Sequence, residues 1–245
     1  MFRKKRKAQN DNLVLSGNHN EPLLDLRSRN ALYNEVFPYE TILSMRQLYS
    51  RLESQIKVMP KRFGLTSAIS QEGVSYLSRA LGTTVAHDVG ADVCIVETNW
   101  WSPSVSDPDG LGAVVSGKKG LNDVIISTNH PNLAIISAGY LSPNERSIAA
   151  RSDSLKRILD ELGERFDHII IDLPAVQSTS EAIPLANLTD SLCMVVRQGV
   201  TSSQRVRKSV NLLGHLDVVG VVMNQVETYT PGSVSYTHLT LPTKA

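Results

Sequence analysis

The stretch T-S-A-I-S-Q-E-G-V-S-Y at residues 66–76 decides the fold, because it carries the outline of a phosphate-binding loop with valine where its lysine belongs. It follows the apolar Phe63-Gly64-Leu65 and leads into Tyr76-Leu77-Ser78-Arg79-Ala80-Leu81, which puts it at a strand-to-helix turn. A helix N-terminus offers unpaired N–H groups and the positive end of a dipole to phosphates. In the pattern G-x-x-x-x-G-K-[ST] the glycines permit close backbone approach, the lysine meets the β- and γ-phosphates, and the hydroxyl serves Mg²⁺. Here Ala68 stands for the first glycine, Gly73 for the second, Val74 for the lysine and Ser75 for the hydroxyl. A branched hydrocarbon can neither donate a hydrogen bond nor offset phosphate charge. Gly73, Val74, Ser75 and Tyr76 are the candidate nucleotide-contacting positions, and Ser75 is a candidate magnesium ligand.

Outward from this turn, strands and helices alternate. Apolar runs predict strands at 62–66, 92–97, 133–137, 167–172, 191–197 and 217–223. Several, such as H-I-I-I-D-L and L-C-M-V-V, are nearly continuous, as expected when helices cover both faces of a parallel sheet. Helices are predicted over 72–89, 152–164, 180–188 and 201–214, the third short and interrupted by Pro184, with Ser152 or Asp153 capping the second. Ahead of the first strand, Ile42, Met45, Leu48, Tyr49, Leu52 and Ile56 recur at helical spacing. The pattern predicts an α/β fold, a doubly wound, mostly parallel sheet with helices on both faces, in one domain over residues 38–226. Ligands should then bind beyond the carboxyl ends of the strands.

Composition bounds the remaining possibilities. Hydrophobic content of 41% and charged content of 20% are globular values. The net charge of +1 argues against a nucleic-acid partner. Residues 1–37 form a basic arm with Arg3-Lys4-Lys5-Arg6-Lys7 at its start, read as a solvated tail or, given a second anchor, as a contact for anionic lipid. Cys94 and Cys193 sit inside apolar runs as small core residues, without disulfide or metal spacing. No run reaches the roughly 20 apolar residues that span a bilayer, and the expected location is cytoplasmic. The six histidines, among them His19, His87, His130, His168 and His215, show no metal-ligand spacing. Residues 227–245 read as a truncated tail, and V-S-Y-T-H-L-T-L-P-T from Val234 resembles a translated sequencing adapter. Residues 234–245, His238 included, are set aside on that reading; a genuine Thr-rich tail is the alternative.

Two further loops should converge on the same crevice. One follows the strand ending at Val96 and reads Glu97-Thr98-Asn99-Trp100-Trp101-Ser102-Pro103. The other is Asp172-Leu173-Pro174, after the run His168–Ile171. A carboxylate at that strand end suits a Walker-B position, which organises Mg²⁺ and its water. Alone, such an aspartate is more often a turn residue.

Together these motifs resemble the bacterial tyrosine-kinase family of capsular and exopolysaccharide synthesis (CpsD/CapB-like), within the MinD/ParA group of deviant P-loop ATPases. The similarity covers roughly residues 38–226. T-S-A-I-S-Q-E-G-V-S-Y is similar to the family's T-S-x-x-P-G-E-G-K-S-T, and V-E-T-N-W-W-S-P at 96–103 to its V-D-A-D-L-R-R-P. G-L-G-A-V-V-S-G at 110–117, N-L-A-I-I-S-A-G-Y-L-S-P-N at 132–144 and F-D-H-I-I-I-D-L-P-A-V at 166–176 resemble further framework segments. V-V-G-V-V-M-N at 218–224 is similar to G-x-V-L-N, whose asparagine, here Asn224, faces adenine in the family. E-T-I-L-S-M-R at 40–46 occupies the place of a subunit-joining E-x-x-R-x-x-R, keeping Glu40 and Arg46 but not the middle arginine, now Leu43.

The departures fall on the chemistry. Besides Val74, Ser70 and Gln71 replace proline and glycine, Glu97 and Asn99 replace aspartates, and Trp101 replaces an arginine. The resemblance implies catalytic roles for Asp172 and Glu97, Mg²⁺ at Ser75 and Asp172, ATP or ADP as cofactor, and a Wzz-like membrane polysaccharide co-polymerase as partner. The departures imply weak or absent nucleotide binding and a regulator that acts without phosphate transfer. Two rivals stay open. One is an active autokinase with a displaced lysine, Lys118 or Lys119; the other is a MinD/ParA-like positioning or pilus-assembly adaptor. Trp100 and Trp101 read either as core or as a cover over the phosphate site.

Overall fold

Parallel pairing fixes the architecture. In the computed structural model, which describes residues 33, 35–104 and 107–226, seven strands form one sheet. They are β1 (Arg62–Ser67), β2 (Val93–Glu97), β3 (Ile126–Ser127), β4 (Leu133–Ile136), β5 (His168–Asp172), β6 (Ser191–Arg197) and β7 (Val218–Asn224). Their spatial order is β3-β4-β2-β5-β1-β6-β7, with every pair parallel except the short β3 against β4. The six strands expected from apolar runs are present within a residue or so. The two-residue β3 was not expected, because nothing so short leaves a periodic signal.

Alternate strand residues enter opposite cores, which is why the runs read as uninterrupted. Cys94, Val96, Ile169, Ile171 and Leu192 belong to one apolar cluster, while Val93, Ile95, Ile170 and Cys193 belong to the other. The first is covered by α5 (Asp153–Arg165), which buries Leu155, Ile158, Leu159 and Leu162 at helical spacing. Ser152 caps this helix, its hydroxyl accepting from the Leu155 N–H at 3.2 Å. The second cluster lies under α1 (Tyr39–Ile56) and α2 (Val74–Asp88), through Met45, Leu48, Leu52, Leu77 and Leu81. Both cysteines are free and buried.

Helix ends differ from the sequence expectation for local reasons. The helix expected over 72–89 begins only at Val74, because Gly73 holds φ 92°. The helix expected over 180–188 shrinks to α6 (Ala182–Ala186), where Pro184 lies in the first turn. α7 covers Ser203–Leu212. Two short helices were missed, α3 (Leu111–Val115) and α4 (Pro143–Ala149). On α1, Arg46 is engaged within its own chain: its guanidinium makes a two-pronged pair with Asp88, the second prong at 3.0 Å. That pair holds the Asp88 carboxyl down at about 2. Among the described residues no helix is long and apolar enough to cross a membrane. The basic arm before Tyr33 and the tail and adapter-like stretch from 227 onward lie outside the described residues.

The loop into α3 is clamped on the end of β4. Leu111 N–H donates to Ser137 O at 2.8 Å and Gly112 N–H to Ala138 O at 2.9 Å. A Cβ on Gly110 would sit 2.4 Å from the Gly139 nitrogen and the Ser137 oxygen, both backbone atoms that cannot yield. By contrast, a Cβ on Gly163 within α5 meets only Lys61 Cε, at 3.5 Å. Gly110→Ala should therefore cost about 1–3 kcal/mol of stability, while Gly163→Ala should add about 0.5–1 kcal/mol. Urea unfolding of the two variants checks both signs.

Candidate functional site

The loop between β1 and α2 is held from inside by a carboxylate. Glu72 is 1% exposed, and its Oε2 accepts from the Ala68 and Ile69 N–H groups at 2.9 and 3.0 Å. Its Oε1 accepts from the Arg197 N–H at 3.1 Å and from the Thr201 hydroxyl. Thr66 Oγ1 donates to Pro174 O at 2.8 Å, so the loop is also tied to the chain leaving β5. Gln71 adopts φ 68°, and a Cβ on Gly73 would lie 2.2 Å from Asn224 Nδ2. Asn224 donates from that nitrogen to Glu72 O at 2.9 Å. The loop thus keeps the curled geometry of a phosphate cradle, and Asn224 at the end of β7 packs against its back. Ser70, in place of the loop proline, pairs with Ser178 at 2.9 Å.

The start of α2 divides by face. Val74 is 9% exposed and belongs to the apolar cluster of Tyr33, Met45 and Leu77, so the lysine position has become part of the core. Ser75 and Arg79, at i and i+4, share the other face. Opposite them, Glu97 and Asp172 are register partners at the ends of β2 and β5, each 1% exposed. Arg79 Nη1 stands 3.5 Å from Glu97 Oε1. Thr98 fixes the strand end through its hydroxyl, which donates to Asp172 O at 2.8 Å.

Both carboxylate oxygens of Asp172 are buried without a hydrogen-bond partner. Burial, and then the Glu97 carboxylate, push its pKa from 3.8 up to about 7; the facing Ser75 hydroxyl and Arg79 draw it back only partly. Glu97 is raised by burial as well, while Arg79 favours its charge. Burial thus raises both carboxyls, with Arg79 favouring the charged form of each. An orphaned buried carboxylate beside a serine at a helix start fits a divalent cation. Among the described residues no three His, Cys, Asp or Glu side chains cluster to hold a metal by themselves. Magnesium suits such a sparse site, since it keeps several waters and one or two protein oxygens.

Other candidates are placed elsewhere. Trp100 is 2% exposed and donates its indole N–H to Ala138 O at 2.7 Å, a core role and not a cover over the loop. Trp101 is partly buried under the Arg146 guanidinium, 5.8 Å from the ring centroid. Lys119 pairs with Asp109 at 2.8 Å and Lys118 faces Glu145 at 3.8 Å. Neither contact involves the phosphate loop. Glu72 and Arg79 were not singled out in the sequence; the glutamate of the family's loop pattern falls on Glu72, and the i, i+4 spacing from Ser75 marks Arg79.

No protein-family model matches the chain. It is 29% identical over 125 residues to tyrosine-protein kinase ptk of Acinetobacter johnsonii, covering 50% of this chain and 17% of that one. It is 25% identical over 175 residues to tyrosine-protein kinase CpsD of Streptococcus agalactiae, covering 68% and 75%. Among solved structures, the kinase domain of Escherichia coli tyrosine kinase ETK superposes with TM-score 0.71 at 21% identity, over 80% of each chain. The chimerical protein CapA2B2 does so with TM-score 0.71 at 20% identity, over 83% of this chain and 99% of that one. The septum site-determining protein MinD of Pyrococcus horikoshii, complexed with Mg-ADP, gives 0.55 at 20%, over 68% and 71%.

Because the folded chain binds the Asp172 proton more tightly than the unfolded chain does, stability falls as pH rises between about 4 and about 7. Asp172→Asn removes that loss. Its stability advantage in urea unfolding should grow by on the order of 2–4 kcal/mol from pH 4 to pH 8. A constant difference would contradict the assignment.

Proposed function

Since the chain belongs to the bacterial tyrosine-kinase family of the CpsD/CapB kind, structurally related to the MinD/ParA P-loop ATPases, we propose that it regulates capsular or exopolysaccharide synthesis without transferring phosphate. The observation that carries the reading is Val74, a buried hydrocarbon at the position of the loop lysine. Phosphoryl transfer depends on positioning and on neutralising charge at the transferring group. Charge-assisted hydrogen bonds contribute roughly 1.5–3 kcal/mol each, and loss of an oriented electrostatic donor commonly lowers rates by about 10²–10³. The Glu97 and Asp172 carboxyls add no positive charge to replace that lysine, and the Arg79 guanidinium is already engaged by Glu97 and Glu35.

If nucleotide binds, the N–H groups of Gly73–Tyr76 would meet its phosphates, and Ser75 and Asp172 would hold Mg²⁺. Magnesium would supply charge neutralisation there. Asn224 would have to release Glu72 O to reach a base. By kinship the protein works at the inner face of the membrane, docked on a polysaccharide co-polymerase. The partly kept Glu40 and Arg46 pattern leaves room for self-association, although Arg46 must first leave Asp88.

A second reading, an active autokinase, draws on the orphaned Asp172 beside Ser75. ATP turnover separates the two. The purified chain should run at background, and Val74→Lys should raise turnover by at least about tenfold. Robust turnover by the unaltered chain would end the proposal.

A further inference from the structure

The segment ahead of α1 reaches across the same end of the site. Tyr33 is 6% exposed, belongs to the apolar cluster that contains Val74, and brings its hydroxyl to 3.5 Å from Glu97 Oε2. Burial and the Glu97 and Asp107 carboxylates hold its phenol neutral. Two residues on, Glu35 Oε2 accepts from Arg79 Nε at 2.9 Å, a shorter contact than Arg79 makes with Glu97. Phe37 sets its ring edge-on to Tyr76, centroids 5.3 Å apart and planes at 68°. Val36, between them, is 91% exposed.

These contacts share a logic. Each lands on a neighbour of Ser75: Tyr76 beside it, Arg79 one turn along the same face, and Glu97 on the strand opposite. Val74, directly before Ser75, packs in the same apolar cluster as Tyr33. We propose that Tyr33 and residues 35–37 form an intramolecular strap that shuts the Glu97–Asp172 end of the site, anchored by Glu35 on Arg79. An anionic ligand that reaches Ser75 must first take Arg79 from Glu35. The strap stands apart from the question of phosphate transfer, because it concerns access and not chemistry.

A thiol at position 75 reports that access directly. Cys94 and Cys193 are 0% and 1% exposed, so in a Ser75→Cys chain the introduced thiol is the one that reacts with an aromatic disulfide reagent. Adding Glu35→Ala and Phe37→Ala should speed its reaction at least about tenfold under native conditions, the scale of a lost local closure. Arg79→Gln frees Glu35 with the strap sequence intact and should act in the same direction, which covers the case of a strap variant that folds poorly. Val36→Ala, on the exposed side of the strap, should leave the rate unchanged. Equal rates with and without the strap contacts, or equal acceleration by Val36→Ala, would overturn the proposal. ATP turnover plays no part in the measurement, so its outcome is separable from that of the function proposed above.

Discussion

A single buried carboxylate holds the loop on which everything else is arranged. Taking Glu72 out of water costs several kcal/mol unless its oxygens are met, and four donors meet them: two loop N–H groups, the Arg197 N–H and the Thr201 hydroxyl. Those donors come from two separate connections, the one after β1 and the one after β6. The carboxylate therefore welds the phosphate loop to the neighbouring strand end. Asn224 extends the weld to β7 through Glu72 O. The loop takes this shape with Ser70, Gln71 and Val74 at the positions of the family's proline, glycine and lysine, Gln71 at φ 68°.

Shape and charge have consequently parted company. The framework is that of a nucleotide fold, with the β1–α2 turn, the paired carboxylates at the ends of β2 and β5, and an apolar core on each sheet face. The charged side chains around that turn differ from the family pattern, with valine in place of the loop lysine. Val74 has moved into the core, and Arg79, the cation that the described residues set against Glu97, is shared with Glu35. Asp172 is pushed up to about 7 by burial and by the neighbouring Glu97 carboxylate. A family relationship to tyrosine kinases and a site poor in positive charge are compatible if the protein acts as a binding component.

Much of this was legible beforehand, for identifiable reasons. Strands buried on both faces announce themselves as unbroken apolar runs, so six of the seven were visible, whereas β3 pairs through two residues only. α3 and α4 span about two turns or fewer, too short to show a period. The positions of Gly73 and Ser75 followed from spacing around a strand-to-helix turn, and that of Asp172 from the end of an apolar run. Glu72 was not singled out, because a loop glutamate reads as solvated until its donors are seen, and two of the four come from 125 and 129 residues away. The same holds for Tyr33, which meets Glu97 across 64 residues. Trp100 read as core in preference to cover, and its burial and its bond to Ala138 O put it in the core.

The most direct measurement is a crystal structure of the full chain grown with a non-hydrolysable ATP analogue and Mg²⁺. The account predicts Val74 still packed in its apolar cluster and no γ-phosphate ordered against the α2 N-terminus. A triphosphate seated in the loop, with Arg79 or another cation on its γ-group and Asp172 ionised on magnesium, would contradict it.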